Sequence, residues 1–253
     1  MVRTVIREAF TLYRQLFWPL VATSFAIFLP FAIALLVLQL LVPDTSSNQQ
    51  SIAILDAVGS LLLVAPLAVI VIIRSAIAFE ETGSASPRRE LGAGFGMLVE
   101  YVLTQVMVLI VIAAIPGALI ALGYASDSPT LMTIGAGVLV GSALFNGVRL
   151  TVATVAVAVG DCRYGPALRQ SAALTRGNWL RTFGVILILA LIGFAAAAVL
   201  SSISLAVPDG AARIITGSAI GVVANALTVP LVALGSYRLY RALLAQASPR
   251  RAA

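Results

Sequence analysis

Six long apolar stretches separated by short polar breaks dominate this chain, and no other feature restricts its fold as much. Hydrophobic residues make up 60% of it and charged residues 10%, with a mean hydropathy of +1.06. Such a surface is unsuited to water, and lipid is the expected solvent. The spans read as residues 16–42, 53–78, 98–123, 131–159, 182–206 and 214–237. Each exceeds the roughly 20 residues that cross a hydrocarbon core, so tilt or protrusion is expected. The predicted class is all-α: a polytopic membrane protein of six transmembrane helices. Residues 1–243 form one six-span domain, and 244–253 form a basic, disordered cytoplasmic tail. The first span is too long for a signal-peptide core, and no cleavage is expected after it.

Arginine placement sets the orientation. All 16 basic residues are arginine. Arg3, Arg7 and Arg14 precede span one, Arg88 and Arg89 lie between spans two and three, and Arg163, Arg169, Arg176 and Arg181 lie between four and five. Arg238, Arg241, Arg250 and Arg251 close or follow span six. The opposite segments carry Asp44, Asp127, Asp209 and one arginine, Arg213. The positive-inside rule then puts both termini in the cytoplasm. The high alanine and arginine content without lysine suggests a GC-rich bacterial genome, and the expected location is the bacterial cytoplasmic membrane. A net charge of +6 suggests anionic lipid headgroups as partners. Nucleic acid is excluded as a partner, because no basic run is interleaved with aromatics.

Two segments before odd-numbered spans repeat one pattern. Arg7 and Arg14 flank Leu12, and Arg169 and Arg176 flank Leu174 at the same offsets. Seven residues is close to two helical turns, so each arginine pair shares a face. These segments read as cytoplasmic interfacial helices. Phe10, Phe17, Trp18 and Trp179 sit at headgroup level. Pro66 with Arg74, and Pro230 with Arg238, share a spacing of eight in the even spans. The middle copy is degraded: Arg88 and Arg89 open it, and glycine-rich 92–96 stands in place of its helix. The pattern predicts a three-fold repeat of interfacial helix plus transmembrane hairpin. Gly137 and Gly141, and Gly217 and Gly221, are four apart and predict close helix packing.

Buried charge costs about 2.5–3.5 kcal/mol at a span's centre, which makes polar residues there the functional suspects. Arg74, Arg149 and Arg238 recur near the cytoplasmic ends of the three even spans and form the candidate anionic-headgroup site. Asn146 and Asn225 are the candidate intramembrane polar residues. Arg7, Arg14, Arg169 and Arg176 are the basic residues of the interfacial helices. Arg149 precedes eleven mostly apolar residues, so either the fourth helix outruns the bilayer or this guanidinium lies within it.

Motifs for catalysis are missing. The chain has no histidine and a single cysteine, Cys162. It lacks HExxH, GxSxG, P-loop and CxxC patterns. No enzyme activity, cofactor or metal site is predicted.

The segment Ala167-Leu168-Arg169-Gln170-Ser171-Ala172-Ala173-Leu174-Thr175-Arg176-Gly177-Asn178-Trp179 resembles a motif of the glycerophosphoryl diester phosphodiesterase membrane-domain family and its stand-alone bacterial relatives of unknown function. Arg7-Glu8-Ala9-Phe10 with Tyr13-Arg14, and Tyr237-Arg238-Leu239-Tyr240-Arg241, are similar to it as well. Ala172 stands where that family usually has an aromatic. The resemblance implies a membrane module and not diester hydrolysis, which belongs to a separate barrel domain. The expected function is a non-enzymatic interaction or scaffold module with anionic-lipid contacts and, on the same side, a protein partner. The alternative is a transporter or lipid-handling protein with a cavity lined by Asn146, Arg149 and Asn225. Oligomeric state is not legible.

Overall fold

The computed structural model describes residues 1–42, 46–204, 207 and 211–247, and these are helical almost throughout. Asp44, Asp209, Arg250 and Arg251 lie outside the described residues. In chain order the helices are α1 (Val2–Gln15), α2 (Phe17–Leu41), α3 (Ser46–Gly59), α4 (Ala65–Thr82), α5 (Pro87–Ala125), α6 (Pro129–Leu150), α7 (Ala153–Val159), α8 (Tyr164–Thr175), α9 (Trp179–Ser204) and α10 (Ala211–Ala247). A π-helical turn, Ser60–Val64, joins α3 to α4. Six segments are long and apolar enough to cross a membrane: Phe17–Leu41, Ser47–Thr82, Arg88–Ala125, Pro129–Val159, Trp179–Ile203 and Ala212–Ala247.

Proline explains the π turn. Pro66 has no N–H to give the carbonyl four residues back, and its ring crowds that carbonyl. Widening the preceding turn relieves the conflict. A carbonyl inside the turn, that of Leu61, accepts a hydrogen bond from the Gln105 side chain of α5 at 3.2 Å.

The buried core lies toward the arginine-rich end. Ile70 to Ile73 and Ala76 of α4, Val155 to Ala158 of α7, and Leu234, Tyr237, Leu239, Tyr240 and Leu243 of α10 are almost fully enclosed. Helix α1 lies against α10 through Val5, Ala9 and Leu12, spaced so that one face is buried. Helix α8 buries Ala167, Ser171 and Leu174 in the same spacing.

Several expectations change. Helix α5 runs unbroken through 92–96, because Gly94 lets α4 approach: a β-carbon there would stand 2.9 Å from Val71 Cγ2. Helix α10 continues to Ala247, so Leu244–Ala247 belong to its last turn and not to the tail. The fourth apolar run is divided at Thr151–Val152. The residues after Arg149 thus do not continue α6 as one unbroken helix. They form a short helix inside the core. The break releases the Arg149 carbonyl, which accepts the hydroxyls of Ser171 (2.8 Å) and Thr175 (3.2 Å) from α8. The glycine pairs also behave differently from expectation. A β-carbon at Gly137, Gly141, Gly217 or Gly221 would meet nothing within 4 Å. Close packing instead falls at Gly123 and Gly135, where α5 and α6 cross.

Candidate functional site

Glutamates occupy two of the three recurring arginines. Arg74 donates from Nε to Glu90 Oε2 at 2.8 Å, tying α4 to α5, and Nη1 reaches Met97 Sδ at 3.5 Å. Arg238 of α10 meets Glu80 Oε1 of α4 at 2.5 Å. Glu80 Oε2 accepts the Tyr237 hydroxyl at 2.6 Å. A third pair, Arg163 with Glu100 at 2.6 Å, fastens the α7–α8 connection to α5. Each pair crosses between elements and lies at the arginine-rich end, so these arginines serve chiefly to neutralise mostly buried carboxylates.

Arg149 stands apart. Among the described residues no carboxylate pairs with it, and its guanidinium lies 5.9 Å from the Phe145 ring centroid. It lines a 280 Å³ hollow with Phe145, Thr175, Arg176, Gly177 and Trp179. Trp179 bridges the hollow: its indole N–H donates to the Phe145 carbonyl at 3.4 Å and its ring stacks on Phe183 at 5.3 Å. Gly177 supplies the sharp connection from α8 to α9 with φ +81°. The three recurring arginines thus do not share one hollow. Arg149 is joined by Arg176, a residue that sequence reading assigned to the interfacial helix alone.

A second hollow has the same make-up. Arg7, Phe10, Thr11, Tyr13, Arg14, Phe17 and Trp18 line about 600 Å³ along α1 and the start of α2. Tyr13 and Phe17 meet edge to face at 5.4 Å, as do Phe17 and Trp18 at 5.3 Å. Tyr13 is fixed from behind, its hydroxyl donating to the Leu227 carbonyl of α10 at 3.0 Å. Partial burial raises its pKa above the usual phenol value, so it stays a neutral donor. Arg7, Arg14, Arg169 and Arg176 are all exposed. Two arginines beside a rigid aromatic cluster can grip a phosphate while the rings rest at an interface.

The intramembrane candidates divide. Asn146 donates to Ser142 Oγ at 3.2 Å, and that hydroxyl donates to the Ile112 carbonyl at 2.7 Å, an α6–α5 packing contact. Asn225 instead lines a groove of about 400 Å³ between α2, the α3 end and α10. Its other polar walls are Gln39, Asp56, Ser60, Arg213 and Ser218. A further hollow of about 350 Å³, lined by Asn48 and Gln49 among others, shares Gln39 and Asp56 with it. Helix α3 begins at Ser46, so Asp56 lies nearly three turns into the helix, after the polar opening Ser46 to Ser51.

Residues 88–243 match a family described as a domain of unknown function, DUF7847. No curated protein and no solved structure matches the chain.

Proposed function

The chain belongs to the DUF7847 family, and we propose that it is a non-enzymatic multi-pass membrane module that holds anionic lipid at its cytoplasmic rim. Large exposed apolar side chains such as Ile115, Leu122, Val140, Phe194 and Val199 support insertion of the helices into hydrocarbon. The arginine-rich end is then cytoplasmic, with both termini on that side of a bacterial inner membrane.

The observation that carries the reading is the pair of arginine–aromatic hollows. Arg14 and Arg176 occupy equivalent positions in the repeated segments, and so do Phe17 and Trp179. Val5, Ala9 and Leu12 are buried as Ala167, Ser171 and Leu174 are. This shared burial supports a repeat of interfacial helix plus hairpin, with one headgroup site per copy at α1 and α8. Each exposed arginine at the surface adds about 1 kcal/mol of attraction to anionic lipid. The resemblance to the phosphodiesterase membrane domains bears on this module alone.

Native mass spectrometry of protein extracted with mixed phosphatidylglycerol and phosphatidylcholine tests the proposal. Two retained phosphatidylglycerol molecules are expected, and Arg14→Gln with Arg176→Gln loses both. Equal retention of the two lipids by the unaltered protein would sink it. A second reading, transport, is favoured by the groove that reaches Asn225.

A further inference from the structure

The groove beside Asn225 is built differently from the two arginine hollows and lies toward the other end of the bundle. Arg213, Gly217, Gly221 and Asn225 succeed one another at intervals of four along one face of α10. Twelve residues of helix span about 18 Å, more than half of a hydrocarbon core. On the facing side Phe28, Phe31 and Leu35 of α2 form an apolar wall that ends in Gln39. A β-carbon at Gly217 or Gly221 would meet nothing within 4 Å, so the missing side chains leave the groove open.

Its polar groups are open to the groove and not packed away: Gln39, Asp56 and Asn225 are all exposed. Among the described residues Gln39 and Asn225 make no hydrogen bond through their side chains. Among the described residues the Asp56 carboxylate accepts only the Ser60 hydroxyl, at 3.0 Å, and no arginine there lies within ion-pair distance of it. Arg213 lines the same wall and has an interaction of its own. Polar groups at membrane depth are costly without partners, and an unpaired carboxylate the most so. In a six-span bundle such groups would draw their partners from water or a solute entering the groove. The hollow that shares Gln39 and Asp56 extends the path to the start of α3. The π turn that Pro66 induces begins at Ser60, on the groove wall.

We propose that this groove is a water-filled inlet, open at the end of the bundle where α3 begins, that ends at Asn225 and admits small ammonium-bearing solutes selected by Asp56. The inference goes beyond the lipid sites and rests only on the six-span reading.

Thiol labelling tests it in a Cys162→Ser background, where the serine keeps the donor to Gln170. Single cysteines are placed by Asn225→Cys and Ser218→Cys in the groove. Ser47→Cys marks the near aqueous end, Glu8→Cys the far end, and Leu29→Cys a lipid-facing site. Two membrane-impermeant methanethiosulfonates are applied to intact cells, one ending in trimethylammonium and one in sulfonate. The expected result is modification of both groove cysteines from the Ser47→Cys side, with Leu29→Cys inert. Normalised to Ser47→Cys, the cationic reagent reacts about tenfold faster than the anionic one, and Asp56→Asn abolishes that preference. Inert groove cysteines beside a reactive Ser47→Cys overturn the inlet while leaving the topology intact. Equal normalised rates for the two reagents overturn the selection by Asp56. Modification of Ser47→Cys and Glu8→Cys from the same side overturns the six-span reading itself, and the inlet with it.

Discussion

Arg238 of α10 and Glu80 of α4 meet at 2.5 Å, and the carboxylate's second oxygen takes the hydroxyl of Tyr237, the residue before the arginine. The arginine side chain is 23% exposed and the glutamate 26%. The pair is thus mostly withdrawn from water, with a phenol completing the carboxylate's hydrogen bonding. Removing one partner leaves the other charge half-buried and unpaired. Glu80→Gln is expected to lower unfolding free energy by about 2 kcal/mol, measured as a loss of thermal stability in detergent. Adding Arg238→Gln to it is expected to restore part of that loss. Simple addition of the two losses would show that the ions do not act as a pair.

Glycine placement gives a second contrast. A β-carbon at Gly123 would lie 2.8 Å from the Met132 backbone nitrogen, and one at Gly135 would lie 3.0 Å from that of Ile120. Backbone cannot step aside as a flexible side chain can. Gly123→Ala and Gly135→Ala are therefore expected to cost about 1–3 kcal/mol by prying α5 from α6. Gly137→Ala, in open space on the same helix, is expected to cost nothing and to gain up to roughly 1 kcal/mol from helix propensity. Matching losses at Gly135 and Gly137 in thermal melts would contradict the crossing described for α5 and α6.

The six apolar segments and the arginine-rich end were legible because hydropathy and charge are local properties of the chain. The one-sided helices before Phe17 and Trp179 were legible for the same reason. Pairing was not. Glu80, Glu90 and Glu100 sit apart in sequence from Arg238, Arg74 and Arg163, and only the folded arrangement brings them together. A run such as Ala153–Val159 reads alike whether it faces lipid or a core, so its separation as a buried helix carried no signal beyond Arg149 itself. Gly217 and Gly221 misled, since small residues four apart permit either a close crossing or a groove. Asp56, Gln39 and Asn225 come from three helices, and no spacing in the chain joins them.

Cys162 provides a chemical probe of the α7–α8 connection. Its thiol donates to Gln170 Oε1 at 2.7 Å, and Gln170 in turn donates to the Tyr240 hydroxyl at 3.0 Å. Burial, and then the neighbouring Asp161 charge, raises the thiol pKa above its ordinary value. The thiolate is the reactive form, so maleimide labelling near neutral pH is expected to be slower than for a free thiol and to climb with pH beyond the usual range. Asp161→Asn removes the repelling charge and is expected to quicken labelling. The fold holds this proton more tightly than the unfolded chain does. The stability it carries is thus whole below the unfolded thiol pKa and is lost as pH rises through the folded one. Labelling at the rate of a free thiol at pH 7 would refute the assignment.

Arg74 and Arg176 separate the ion-pairing duty of arginine at this end of the bundle from the lipid-holding one proposed for it. Arg74 is committed to Glu90, whereas Arg176 is exposed on the rim of the Trp179 hollow. Arg74→Gln is expected to lower thermal stability by about 1–2 kcal/mol and leave phosphatidylglycerol retention unchanged. Arg176→Gln is expected to do the reverse: a melting profile within about 0.5 kcal/mol of the unaltered protein, and loss of one retained lipid. Ionic strength distinguishes the two further. Screening weakens an exposed arginine–phosphate contact far more than a half-buried ion pair. Raising salt from about 0.05 to 0.5 M is therefore expected to strip lipid from the unaltered protein while its Glu90-dependent stability persists. Lipid retention that survives both Arg176→Gln and high salt would mean that the headgroups are held elsewhere.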